Sequence, residues 1–178
     1  MKKSVLLLFF AGCVATGIFG IGRKIPMNRV NDLGQREGYW RDSLGEGITH
    51  ELYYKGGKKD GLFKCFIRNE LFLFGEYTAD NMSGTWYMFG DEGELRCTID
   101  SIEFNKDSIY TGYPCCRIFC KYKCHSIDYY PSGAVKSEGY MVCDEDFRVD
   151  FWEIGEWKYY DESGNLIKTK DYGDRRTP

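Results

Sequence analysis

Gly38-Tyr39-Trp40, Gly61-Leu62-Phe63 and Gly84-Thr85-Trp86 stand 23 residues apart, and Gly155-Glu156-Trp157 follows 71 residues later, close to three more periods. Tyr54 and Tyr77 keep the same phase, each seven residues before the next glycine. Two distant units agree at every landmark. Gly84, Trp86, Phe89, Gly93 and Leu95 share offsets 0, 2, 5, 9 and 11 with Gly155, Trp157, Tyr160, Gly164 and Leu166. A fainter unit places Tyr129, Gly133, Val135 and Tyr140 at the same relative spacing, with Cys124 where the anchor glycine would be. Such a period is read before any element is assigned, because a repeat unit buries its apolar face only against its neighbours.

Each period resolves into two β-rich runs separated by turn residues. In the first unit Gly38 to Ser43 is one run, Leu44-Gly45-Glu46-Gly47 a turn, Ile48 to Tyr54 the second run, and Lys55 to Asp60 the turn onward. Turn signals every 11 or 12 residues are the spacing of antiparallel strands, and no window after the N-terminal segment holds a helical apolar period. The expected fold is therefore all-β: tandem antiparallel hairpins of period about 23 forming one elongated sheet. Gly38, Gly61, Gly84 and Gly155 are expected at positive φ or at a close approach that a Cβ would obstruct. With strands about 4.8 Å apart, Trp40, Phe63 and Trp86 would return to one face roughly every 9.6 Å as an aromatic ladder, with Trp157 at the matching place in the last unit.

Composition agrees with this reading. The 178 residues carry 12 Phe, 14 Tyr, 4 Trp and 21 Gly, with a net charge of −3, which excludes a disordered chain and suits one modest domain. The charge also excludes the broad basic stripe of a nucleic-acid binder; Lys55, Lys58 and Lys59 form only a local cluster in a turn.

The pattern Gly-x-Trp/Phe, then Tyr/Phe, a glycine turn and a Tyr before a Gly-Lys-rich turn resembles MORN repeats, in the bacterial variant of the YwqK-type antitoxin family. The resemblance covers residues 34 to 96 and 124 to 172. It implies strings of β-hairpins in an elongated sheet, and a role as antitoxin, scaffold or membrane-associated module. Residues 97 to 123 depart from the pattern, and Cys124 to Gly155 is 31 residues, eight more than a period.

The N-terminus has the layout of an export signal: Lys2-Lys3, the uncharged stretch Ser4 to Gly22, then Arg23-Lys24. Within it Phe10-Ala11-Gly12-Cys13 resembles the lipobox of bacterial lipoproteins, which implies a lipid on Cys13. Cleavage after Ala15 and an uncleaved anchor are the competing readings, and all three place the body outside the cytoplasm, at a membrane or in the periplasm or medium. Processing at Cys13 removes Lys2 and Lys3 and so moves the net charge from −3 to −5. The expected organisation is signal and tether 1–22, linker 23–37, repeat domain 38–172 and tail 173–178.

The segment Cys115-Cys116-Arg117-Ile118-Phe119-Cys120-Lys121-Tyr122-Lys123-Cys124-His125 invites a metal reading, but its spacing lacks paired ligands across a tight turn. Read as a strand, it sends Cys116, Cys120 and Cys124 to one face at steps of about 13 Å. Metal ligation, cross-strand disulfides and buried free thiols stay open for Cys65, Cys97, Cys115, Cys116, Cys120, Cys124 and Cys143, with disulfides favoured by export and an odd thiol left over after lipidation. Asp144-Glu145-Asp146 lacks the ligand alternation of a calcium loop and reads as a solvated hairpin turn, with Phe147 to Trp152 alternating as a strand. His50 and His125 belong to no catalytic motif, and no phosphate loop or nucleophile elbow is present. The expectation is a non-catalytic, exported protein without cofactor or metal. Its partner would be an unidentified protein or a surface glycan, its membrane link the N-terminal lipid, with neutralisation of a toxin as the alternative.

Overall fold

The computed structural model describes residues 26–107, 110–111, 118–144 and 151–173. Among them there is no helix, and eleven strands form one antiparallel sheet. In chain order the elements are β1 (Arg29–Val30), β2 (Arg36–Gly45), β3 (Ile48–Lys55), β4 (Lys58–Ile67), β5 (Glu70–Thr78), β6 (Asn81–Phe89) and β7 (Leu95–Phe104), then β8 (Tyr110–Thr111) and β9 (Ile118–Phe119). They continue with β10 (Tyr122–Tyr129), β11 (Val135–Cys143), β12 (Phe151–Tyr160) and β13 (Leu166–Asp171). Sheet order follows chain order except that β8 and β9 pair with each other, and β10 returns beside β7. The off-pattern segment is thus an excursion, and Cys97 belongs to a regular strand of an uninterrupted sheet. The sheet also begins before Gly38: Arg29 and Val30 pair with Glu37 and Arg36 inside the segment read as a linker.

Two kinds of turn build the meander. Glu46-Gly47, Gly56-Gly57, Arg68-Asn69 and Ala79-Asp80 are two-residue connections with both φ values positive. That backbone matches the right-handed twist of the strands it joins. Turns starting at Asn31, Gly90, Tyr130 and Asp161 share another bond pattern, in which the first N–H donates to the carbonyl four residues on and a positive-φ glycine donates back to the first carbonyl. The period extends to contacts between neighbouring turns: Gly57 N donates to Arg36 O at 2.9 Å, and 23 residues on Asp80 N donates to Lys59 O at 2.8 Å.

The anchor glycines Gly38, Gly61, Gly84 and Gly155 have φ of +74°, +125°, +66° and +60°, as their recurrence predicts. At Gly61, Gly84 and Gly155 the pairing register shifts by two residues. A bulge of this size increases local twist and, because it is even, keeps side chains on their face. Trp40 Nε1 and Trp86 Nε1 each donate to the carbonyl three residues earlier, of Glu37 and Ser83.

One face carries the core. Trp86 is fully buried, flanked by Phe63, Tyr77 and Ile99. A buried aromatic ring removes about 150–250 Å² from water, on the order of 4–6 kcal/mol gross at about 25 cal/mol per Å². That outweighs the cation–π contacts decorating the row, worth about 0.5–2 kcal/mol each, such as Arg36 over Tyr54 and, one period on, Lys59 over Tyr77. The ladder is closer than strand spacing alone implies: the rings of Phe63 and Trp86 are 5.6 Å apart. Phe63 pairs with Gly75 on the intervening strand, so the Trp86 ring spreads over the place where a side chain would stand. Between Trp40 and Phe63 that place holds Leu52. A smaller cluster of Cys120, Val142 and Ile154, with Trp152, packs on the opposite face.

Candidate functional site

The ladder lapses once. The residue two after the anchor position is aromatic at Trp40, Phe63, Trp86 and Trp157, but in the unit beginning at Cys124 it is Ser126. Cys124 does not act as a bulge: β10 is regular there, and the register shift between β7 and β10 has its positive φ at Ser101, +51°. Ser126 pairs with Gly139 on β11, and the ring of Trp157 on β12 lies against that glycine, where a Cβ would come within 2.5 Å of it. The indole occupies the place beside Gly139, and at Ser126 the core face opens into a trough of about 230 Å³. Its apolar wall includes Met88, Ile99, Met141 and Trp157, and its polar groups are Ser126, Asp128, Ser137, Glu153, Cys97 and Tyr159. A second cavity of about 410 Å³ continues it, sharing Met88, Cys97 and Asp128.

The trough is electronegative. Ser137 Oγ donates to Asp128 Oδ2 at 2.8 Å, and no basic side chain forms an ion pair with Asp128 or Glu153 among the described residues. Burial pushes the Cys97 thiol up to about 12; the bond to Ser126 Oγ at 3.3 Å opposes the rise and the Asp128 charge adds to it. The Tyr159 hydroxyl is raised by burial first, then by its 2.8 Å bond to the Tyr172 hydroxyl, with the charges of Glu153 and Asp128 contributing. Both hydroxyl and thiol are therefore uncharged at neutral pH and serve as hydrogen-bonding groups.

The five described cysteines are buried. Cys65, Cys97, Cys120, Cys124 and Cys143 form no disulfide, so of the readings left open the cross-strand disulfide does not hold among them. Cys124 and Cys143 sit on one face of neighbouring strands with Sγ atoms 3.7 Å apart, against about 2.05 Å in a disulfide. Cys120 and Cys124 do not share a face as a continuous strand would require. The chain bends at Cys120 and Lys121, where buried Asn105 donates Nδ2 to Cys120 O at 2.8 Å and its backbone N–H to Lys121 O at 2.9 Å. Cys115, Cys116, the reading of Asp144 to Asp146 beyond Asp144, and Cys13, expected to carry the lipid, lie outside the described residues. No cluster of three metal-ligating side chains occurs among the described residues.

The two histidines are far from the trough in role. His50 on β3 packs its ring 5.0 Å from Phe63. His125 occupies the face opposite the trough, its Nδ1 3.4 Å from Asp100 Oδ1 and its ring 5.3 Å from Tyr140. His125 and Tyr140 border a shallow polar basin of about 220 Å³ with Glu138, Glu156 and Lys158.

The repeat residues thus shape the sheet, and the trough is made by what is missing from one unit. Its signal in the sequence is Ser126 at an otherwise aromatic position. No family model, curated protein or solved structure matches the chain.

Proposed function

We propose that the chain is a non-catalytic, exported repeat protein, held at a membrane by a lipid on Cys13, whose sheet serves as a binding platform for another protein or a surface glycan. One observation carries this reading. The glycines and aromatics of the period are consumed by bulges and the ladder, and the trough in that face opens where the period fails. A repeat of this kind supplies a long, rigid surface whose individuality lies in departures from its consensus. The resemblance to MORN repeats supports the scaffold role. It also supports the second reading, neutralisation of a toxin, because the similar bacterial variant is described as antitoxins.

The test is purification of the full chain from the membranes of its native host, with mass spectrometry of what accompanies it. A stoichiometric partner is expected, and Cys13→Ser moves the protein out of the membrane fraction. Retention in that fraction with the signal intact would overturn the lipid anchor. Purified protein that hydrolyses a glycan or peptide panel would overturn the non-catalytic reading. Toxicity on depletion, together with a toxic partner in the complex, selects the second reading.

A further inference from the structure

The same molecule contains a filled counterpart of the trough. Four residues after the anchor position stand Asp42 in the first unit and Asp128 in the unit that lacks its aromatic. Asp42 is neutralised: Arg36 Nη1 lies 2.9 Å from its Oδ2 and donates to the Tyr54 hydroxyl at 2.8 Å, while the guanidinium sits 4.4 Å from the Trp40 ring centroid. Asp128 is set among the same kinds of group, with Trp157, Tyr159 and a second carboxylate, Glu153, but no arginine. A half-buried carboxylate without a cation loses hydration, of which the single bond from the Ser137 hydroxyl returns only a part.

Among the described residues, the basic groups nearby pair with neither carboxylate. Lys168 lies over Tyr159 at 5.5 Å and Lys170 over Tyr172 at 3.8 Å. In the adjoining cavity Arg96 pairs with Glu94 at 3.4 Å, and Lys136 lies over Tyr130 at 6.0 Å. Size narrows the occupant further. About 230 Å³ accommodates one side chain, and its open continuation leaves room for the chain that carries it.

We propose that the trough beside Ser126 receives an arginine side chain of a partner protein, its guanidinium held by Asp128 and Glu153 and stacked on Trp157 and Tyr159. This deepens the binding-platform reading and rests on it. A planar guanidinium suits the site better than an ammonium because it bonds two carboxylates in its plane while presenting a weakly hydrated face to an aromatic ring.

The experiment titrates isotope-labelled full chain in detergent micelles with Nα-acetyl-arginine amide, and separately with Nα-acetyl-citrulline amide, the neutral isostere, and Nα-acetyl-lysine amide. Saturable amide shifts confined to residues 126–128, 137–141 and 153–159 are expected with arginine, weaker ones with lysine and none with citrulline. The double variant Asp128→Asn, Glu153→Gln, checked for an unchanged spectrum elsewhere, should weaken arginine binding at least tenfold. Equal response to citrulline, binding unchanged in a folded double variant, or no response to arginine would overturn the proposal. If the folded double variant still purifies with its stoichiometric partner, the arginine site fails while the platform reading stands. If the wild-type chain has no partner, the platform reading fails whatever the amides do.

Discussion

At Gly75 an added Cβ would lie 2.1 Å from Cδ2 of Trp86, whereas at Gly38 it would meet no heavy atom within 4 Å but would have to hold φ at +74°. The first glycine is required by a neighbour, the second by its own backbone. Trp86 is fully buried and cannot move aside without losing the packing with Phe63 and Tyr77, so Gly75→Ala is an overpacking change. It is expected to cost about 3 kcal/mol. Gly38→Ala pays only the left-handed conformation, about 1–2 kcal/mol. Urea denaturation of both variants checks the difference. A loss at Gly38 as large as at Gly75 would mean that bulge geometry, and not room for the indole, dominates. Gly139, beneath Trp157, belongs with Gly75.

The hairpin is the element in which local preference and fold agree least evenly. Gly56-Gly57 occupies its turn without strain, but Arg68, Asn69, Ala79 and Asp80 hold φ of +54°, +69°, +49° and +70°. Asp80 has a compensating role, since its Oδ1 accepts the Lys59 N–H at 2.7 Å. Ala79 has none of the side-chain chemistry that favours a left-handed position. Ala79→Asn should therefore stabilise the protein by about 0.5–1 kcal/mol, seen as a higher thermal midpoint. An unchanged or lower midpoint would show that the β5–β6 turn draws its geometry from the flanking turns and gains nothing from local preference. The same bias toward primed turns explains why the strand boundaries predicted from Leu44 to Gly47 and Lys55 to Asp60 fall close to the observed ones.

Over the whole molecule, each strand of the large sheet packs beside strands adjacent in the meander, and the sheet remains open at both edges. β13 is exposed along its length, with Leu166 and Ile167 at 55% and 63% exposure, and its Lys168 and Lys170 are residues that discourage edge-to-edge pairing. The deepest side chains, Trp86, Ile99, Tyr122 and Val142, lie on β6, β7, β10 and β11. Hydrogen exchange should accordingly be slowest in these four strands and become faster toward β1 and β13, as in a repeat array whose stability accumulates between neighbours. Uniform protection across all eleven strands would instead indicate one all-or-none unit.

The sequence by itself determined the all-β class and the 23-residue hairpin unit, and it marked Gly38, Gly61, Gly84 and Gly155 as positions of either positive φ or close approach. Each follows from preferences of a residue and its near neighbours, which repeat whenever the unit repeats. Only the tertiary structure decided that β10 returns beside β7 across the excursion, that Cys120 and Cys124 part to opposite faces, and that Cys124 meets Cys143 as a thiol. It also decided what Gly75 and Gly139 are for, since each serves a tryptophan on the adjacent strand and no residue of its own. The trough is of the same kind: Ser126 stands at an otherwise aromatic position that the landmarks of the repeat passed over, and a gap becomes a site only when strands distant in sequence place Asp128, Glu153 and Trp157 around it.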